Sequence, residues 1–121
     1  MPLPAKVSLA AAFASFDEAW APRVAARVGE FAVKVVRLDG EFVWHHHEHD
    51  DELFLVVTGR LVIRFRDGEV ELGPGELVVV PAGVEHLPVA PEPTEVVLLE
   101  RASLVNTGSA GGDRTRQAQP L

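Results

Sequence analysis

The sequence contains no cysteine, which excludes disulfide stapling, thiolate nucleophiles and cysteine-ligated zinc together. Any metal held by this chain must be bound through nitrogen and oxygen. Long hydrophobic runs are also missing: a stretch such as Leu77–Val80 falls far short of the ~20 apolar residues a membrane-spanning helix needs. Basic residues are in deficit, 11 against 18 acidic, for a formal net charge of −7. No overall positive field draws a phosphate backbone, so nucleic acid is not an expected partner, and neither is a membrane. The patchily apolar residues 1–16 lack a basic leading region and are followed by Asp17 and Glu18. No secretory leader is therefore expected, and the cytoplasm is the expected location.

What is present fits one domain: 121 residues with 47% hydrophobic and 24% charged, enough for a single core and too few for two. Alanine-rich residues 8–14 read as a short helix with Ser8 as N-cap. After Gly29 the pattern changes to short β-branched runs punctuated by Gly and Pro. Residues 31–38 form the first, with Asp39-Gly40 as a tight-turn pair that starts the next strand at Glu41. Residues 53–57 form another, closed by Thr58-Gly59. Residues 60–66 alternate Arg60, Val62, Arg64 and Arg66 against Leu61, Ile63 and Phe65, which predicts one wet and one buried face. Asp67-Gly68 marks a hairpin into residues 69–72, and Gly73-Pro74-Gly75 a corner before Leu77–Val80. Pro81-Ala82-Gly83 breaks the chain before residues 84–89, Pro-rich residues 90–93 read as a loop, and residues 96–99 as a last strand. Short strands without intervening helices predict an all-β fold of antiparallel jelly-roll type. The organisation expected is an N-terminal helix and lead-in strand over residues 1–28, a β-barrel over 29–105, and a polar tail over 106–121. That tail has almost no apolar residue to bury, so it is expected to be mobile or to pack on a partner.

All five histidines bear on function, because four lie within residues 45–49 and the fifth is His86. On a strand His45 and His47 project from one face while His46 points away, so two imidazoles can converge on an ion. A loop over residues 48–51 resets the direction, after which Glu52, Phe54 and Val56 share a face. His86, on a separate strand, supplies a third nitrogen from across the interior. His45, His47, Glu52 and His86 are therefore the candidate metal ligands, in a site that keeps open coordination positions. The mixed nitrogen and oxygen set suits Fe(II), Mn, Co, Ni, Cu or Zn and disfavours Ca and Mg. His46 and His49 read as surface or supporting groups, Asp50 and Asp51 as a solvated acidic loop, and Phe42, Trp44 and Phe54 as core or interface. Arg60, Arg64 and Arg66 read as an exposed sheet face rather than an anion site.

The spacings carry a family resemblance. His45-x-His47, four residues, Glu52, six residues, Gly59 resembles the first cupin motif, and Gly75, five residues, Pro81-x-Gly83, two residues, His86 resembles the second. Fifteen residues separate Gly59 from Gly75, a spacer similar to that of compact microbial cupins. The chain departs from the pattern in having four residues rather than five between Gly40 and His45, and Ala90 where Asn is common. Trp44-His45, Asp51-Glu52-x-Phe54, Asn106-Thr107-Gly108 and Arg114-Thr115 resemble a group of small bacterial cupins called mannose-6-phosphate-isomerase-like, a name that describes fold. The resemblance implies a double-stranded β-helix barrel, and small cupins commonly pair, so a homodimer is expected, with the Phe31 edge region needing cover.

Two function classes stay open at this stage. One is a metal-dependent enzyme acting on a small oxygen-bearing molecule, isomerase or dioxygenase in type, in which Glu52 is a ligand and no catalytic residue beyond the metal set is identifiable. The other is a non-catalytic module that binds or senses a small ligand at the metal.

Overall fold

A computed structural model describes residues 2–121. One short helix, α1 (Leu9–Ala14), precedes the strands β1 (Arg23–Val28), β2 (Phe31–Glu41), β3 (Glu52–Thr58), β4 (Leu61–Phe65), β5 (Gly68–Leu72), β6 (Leu77–Val80), β7 (Leu87–Arg101) and β8 (Gln119–Pro120). Ser8 caps α1 as its sequence position predicts, its hydroxyl accepting from the Ala11 amide at 3.2 Å, a contact worth about 1 kcal/mol. No helix among the described residues is long and apolar enough to cross a membrane.

The eight strands form one sheet whose path runs β5-β4-β7-β2-β1-β8, with β3 bridging β7 and β6. The pairings are antiparallel except for β1 with β8, and the path bends into a jelly roll without closing on itself. The long strand β7 organises it. One edge of β7 pairs with β2 along almost its whole length, while the other pairs first with β4 through residues 87–89 and then with β3 through residues 95–99.

That strand corrects two expectations. Residues 90–93 are not a loop, and Asp39-Gly40 is not a turn; both belong to continuous strands. Leu38 pairs with Thr94 and Gly40 with Ala90, so Pro91, Glu92 and Pro93 bulge opposite Asp39 alone. Prolines are tolerated there because a bulge needs no ladder N–H from them, and Gly40 at φ +78° supplies the left-handed conformation the bend requires.

The sheet's alternation builds two apolar layers. On its inner face Val36, Leu38, Phe54, Val56, Leu61, Ile63, Leu72, Val80, Val96 and Leu98 form the main core, each contributing about 1.5–3 kcal/mol of burial. On the outer face α1 lays Ala12, Phe13 and Phe16 over Val35 and Val97. Arg37 pins this helix by donating from its guanidinium to the carbonyls of Phe13 and Phe16. Arg60, Arg64 and Arg66 are exposed as predicted, with Arg60 paired to Glu71 and Arg66 to Glu85.

The polar tail differs from both expectations for it, mobility and packing on a partner. It folds back on its own chain: the Asn106 amide donates to the carbonyls of Trp20 and Arg114, Thr107 is fully buried, and β8 pairs with β1. Arg114 stacks over Phe42 and Trp20 and donates to the Glu41 carbonyl. The tail is ordered by hydrogen bonds to backbone carbonyls and cation–π contacts, which a search for apolar surface does not detect.

Candidate metal centre

Three separate pieces of backbone bring the histidines together. His45 and His86 face each other across an antiparallel bridge in which each amide donates to the other's carbonyl, at 3.1 and 2.9 Å. Directly opposed residues project side chains on one face, and the two ring centroids lie 4.3 Å apart. His45 and His47 are not on a regular strand as expected, but their extended backbone preserves the alternation: both are buried while His46 is partly exposed. The carbonyl of His47 accepts from the Gly83 amide at 2.8 Å, and Asp51 accepts from the Ala82 amide at 2.9 Å. The Pro81-Ala82-Gly83 turn thus fastens the His47 loop to the approach to His86. Strand β3 begins at Glu52, which shares its inward parity with Phe54 and Val56.

The four sequence-derived candidates converge. One ligating atom from each of His45, His47, Glu52 and His86 lies within 4.8 Å of all the others, and each residue is at most 5% exposed. Glu52 Oε1 sits 3.4 Å from His47 Nε2 and 3.5 Å from His86 Nε2. These three atoms are buried without a hydrogen-bond partner, a costly arrangement for polar groups taken from water. The Nδ1 atoms of His45 and His86 each lie 2.9 Å from a carbonyl two residues back, Val43 and Val84. Donation there fixes the tautomer and leaves each Nε2 with its lone pair turned inward, as metal-binding imidazoles require. Neutral nitrogens and a carboxylate, buried, preoriented and unpartnered, fit a divalent cation.

His46 and His49 are not brought into this cluster. His46 Nε2 meets Glu48 and its Nδ1 meets Ser109, while His49 is exposed. Asp50 holds Arg101 at 2.8 Å, so this loop is structured rather than merely solvated.

Sequence reasoning missed two residues beside the cluster. Lys34 and Glu100 are buried, with Nζ 2.7 Å from Oε2, and Glu100 lines the same narrow cavity of ≈ 30 Å³ as His45 and Glu52. Alternation would have flagged them, since Lys34 shares parity with Val36 and Leu38, and Glu100 with Val96 and Leu98. Phe42 and Phe54, expected as core, also line this cavity, whereas Trp44 lies outside it under the Arg66 guanidinium.

Burial pushes the Glu52 carboxyl up, but the Glu100 carboxyl and the His47 and His86 imidazoles beside it outweigh burial and hold it well below its ordinary value. Burial and then the Glu52 charge push Glu100 well above, against the attraction of Lys34. The geometric Lys34–Glu100 ion pair and the raised Glu100 carboxyl are reconciled if the two carboxyls share one proton. The cluster then carries one negative charge facing one ammonium.

In the metal-free protein burial, followed by the proximity of His86, lowers His45 from 6.5 to about 4. Between these values the unfolded chain binds more protons than the folded one. His45's contribution is therefore complete above pH 6.5 and lost as the pH falls through about 4, an effect of about 3 kcal/mol. Glu100 works in the opposite sense, because its raised carboxyl contributes most below its ordinary value and loses that contribution as pH rises. The stability difference between wild type and His45→Gln should cancel the Glu100 effect. Urea titration of both metal-free proteins should show that difference growing by about 3 kcal/mol from pH 4 to pH 7; a constant difference would mean that His45 is not kept neutral by its surroundings.

Comparison with known proteins agrees with this architecture. A family model described as a cupin domain matches residues 34–100. A cupin-2 domain containing protein from Shewanella frigidimarina NCIMB 400 is similar in structure, with a TM-score of 0.78 and 41% identity, over 78% of this chain and 93% of that one. Protein NMB1881 from Neisseria meningitidis aligns with a TM-score of 0.74 and 30% identity, over 80% of this chain and 99% of its own. YdbB, an uncharacterized protein of Bacillus subtilis strain 168, is 38% identical over 60 residues, which are 49% of this chain. The match spans about half, 53%, of the length of that curated relative.

Proposed function

This chain belongs to the cupin domain family, and from that premise we propose that it holds one divalent transition-metal ion through His45, His47, Glu52 and His86. We read it as a metal-dependent enzyme on a small oxygen-bearing molecule, of isomerase or dioxygenase type. The observation that carries this reading is the set of unpartnered buried atoms, His47 Nε2, His86 Nε2 and Glu52 Oε1, turned toward one another. Fe, Mn, Co, Ni, Cu and Zn all suit these donors.

An ion bound there would supply Lewis acidity or an acidified water. The chain's own residues supply the rest. Val43 and Val84 hold the His45 and His86 rings by their Nδ1 atoms. Phe42 and Phe54 wall the cavity with apolar surface, and such a low-polarity lining strengthens the electrostatic contacts beside it. Glu100, with its raised carboxyl, keeps a proton beside Glu52. A cavity of ≈ 30 Å³ has room for about one water, so the reading is limited to small ligands or to larger ones admitted by movement of the Trp20 and Asn106 wall.

The second reading, a non-catalytic binding cupin, is favoured by one observation. The acids and bases lining the cavity are His45, Glu52 and Glu100, and Glu100 is already engaged by Lys34 and Glu52. No unengaged general base faces that cavity among the described residues.

The test is elemental analysis of protein purified without an affinity tag, followed by oxygen-uptake and sugar-phosphate isomerisation assays on the loaded protein. About one equivalent of transition metal with turnover supports the enzyme. Metal with ligand-dependent thermal shifts but no turnover supports the binder, and no metal after reconstitution removes both.

A cytoplasmic homodimer belongs to the same proposal. Leu77 and Val79 on the edge strand β6, with Leu99 and Phe31, form an exposed apolar band, each 38–56% accessible. Light scattering is expected to give twice the 13.1 kDa chain mass; a monomer at working concentration refutes the pairing.

A further inference from the structure

We propose that the C-terminal segment around Gly108 is a positioning element of the metal site: its backbone packs on the His47 ring and sets that ring's orientation. The inference rests on the metal-site reading above and deepens it.

The three imidazoles are not held alike. His45 and His86 are each fixed through Nδ1 by a carbonyl two residues back. His47 has no such bond, and both its ring nitrogens are buried without a partner. Something other than hydrogen bonding must keep this ring turned so that Nε2 stays 3.4 Å from Glu52 Oε1.

What lies against its outer edge is the tail. A Cβ added at Gly108 would meet the His46 carbonyl oxygen and would approach His47 Nδ1 at 2.8 Å and Cε1 at 3.0 Å. The absence of a side chain at Gly108 is therefore what lets the backbone close on the ring. Packing this tight restrains a ring sterically. The segment itself is fastened on both sides of the contact. The Ser109 amide donates to the His46 carbonyl at 2.9 Å, and the His46 amide donates to Ser109 Oγ at 3.0 Å. Asn106 ties the same segment to the Trp20 carbonyl and accepts from the Arg116 amide, and Thr107, fully buried, meets Thr115. The strap residues Asn106, Thr107, Gly108 and Ser109, with Thr115 and Arg116, all lie outside the matched family region, residues 34–100.

Gly108→Ala is the direct test, and Gly75→Ala is its control. Gly108 has φ +49° and Gly75 φ +80°, but nothing lies within 4 Å of a Cβ at Gly75. The control therefore carries the left-handed strain without the contact. Cobalt(II) titration of each protein, read by absorbance and by competition with a chelator, is expected to show affinity reduced about 10–100-fold in Gly108→Ala and unchanged in Gly75→Ala. The cobalt spectrum of Gly108→Ala should change shape, which a global loss of stability would not produce. In the metal-free proteins the His47 imidazole nitrogen signals should move in Gly108→Ala while those of His45 and His86 stay in place. Should Gly108→Ala fail to fold, Ser109→Ala, which removes the Oγ contacts to His46, carries the same test with a smaller expected drop. Wild-type affinity and wild-type cobalt spectrum in a folded Gly108→Ala protein would overturn the proposal. A wild type that binds no cobalt would overturn the metal-site reading instead, and the imidazole signals would then decide whether Gly108 orients His47.

Discussion

Replacing His86 with alanine is expected to lower transition-metal affinity by more than about 100-fold while leaving the metal-free fold close to its original stability. The first half follows from the ligand count. His86 is fully buried and its Nε2 has no partner but the site. Its removal leaves two imidazoles and one carboxylate, and losing a ligand must cost at least as much as losing a supporting group, which alone costs 10–100-fold. The second half follows from the unsatisfied atoms. A metal-free site of this kind is frustrated, because imidazole nitrogens and a carboxylate oxygen are held out of water with nothing to bond. Alanine deletes one orphaned acceptor, and this gain offsets much of the cost of the lost Nδ1 bond to the Val84 carbonyl and of the void left beside Phe54 and Phe65, whose ring centroids lie 6.1 and 6.5 Å from that of His86. Isothermal titration with zinc or cobalt, paired with urea unfolding of the metal-free proteins, measures both halves. His49→Ala is the control, since His49 is exposed and lies outside the cluster. Binding by His86→Ala at wild-type strength would mean the ion sits elsewhere. The same bookkeeping predicts that wild type gains about 2.7 kcal/mol of stability at a metal concentration one hundred times its dissociation constant, a gain that His86→Ala should not show.

The four residues of the candidate cluster were legible in the sequence because their information is local and periodic. His45 and His47 alternate about His46, and Glu52 starts a strand whose inward parity is visible in Phe54 and Val56. His86 follows a Pro-Ala-Gly break that stops one run before the next. The strands β3, β4 and β6 were legible for the same reason, each being an apolar or alternating run between glycines. What local pattern could not decide was whether a break is a turn or a bulge. Asp39-Gly40 has the chemistry of both, and the choice is made by Pro91 and Pro93 on the paired strand, about 50 residues away. Nor could composition foresee the tail, whose order comes from Asn106 and Arg114 reaching specific carbonyls rather than from apolar area. The Lys34–Glu100 pair was hidden differently. Lys34 stands in a run that also contains the half-exposed Arg37, and a charge on a strand is ordinarily assigned to the wet face. Their parity with Val36, Leu38, Val96 and Leu98 points both charges inward, and the register, which sets Ala32 opposite Glu100 and Lys34 opposite Leu98, brings the two side by side.

That pair carries the other large expected effect: Lys34→Met should destabilise the protein by about 3–5 kcal/mol at neutral pH. Lys34 Nζ donates to Glu100 at 2.7 Å and to the Leu104 carbonyl at 3.0 Å, so it joins the end of β7 to the start of the tail. Its charge also faces the negative charge that Glu52 and Glu100 share. Methionine fills the volume but leaves that negative charge buried and uncompensated, and the remaining escape is uptake of a second proton. Glu100→Gln should be far milder, within about 1 kcal/mol, because an amide presents a donor toward Glu52 and an acceptor toward Lys34, much as the protonated acid does. The pH dependence separates this account from a plain packing defect. In Lys34→Met the Glu100 carboxyl, already held well above its ordinary value of 4.5, loses the cation that opposes that rise. Stability from such groups is complete below the ordinary value and lost as the pH rises, so the deficit should be largest at pH 7 and shrink below about pH 4.5. Metal should reduce the deficit as well, since a bound cation would neutralise Glu52 from the other side and leave Glu100 free to keep its proton. Denaturant titrations of the single and double variants, with and without zinc, at pH 4 and pH 7, test each step. A loss that is the same at both pH values and indifferent to metal would assign Lys34 to packing alone and detach it from the histidine site.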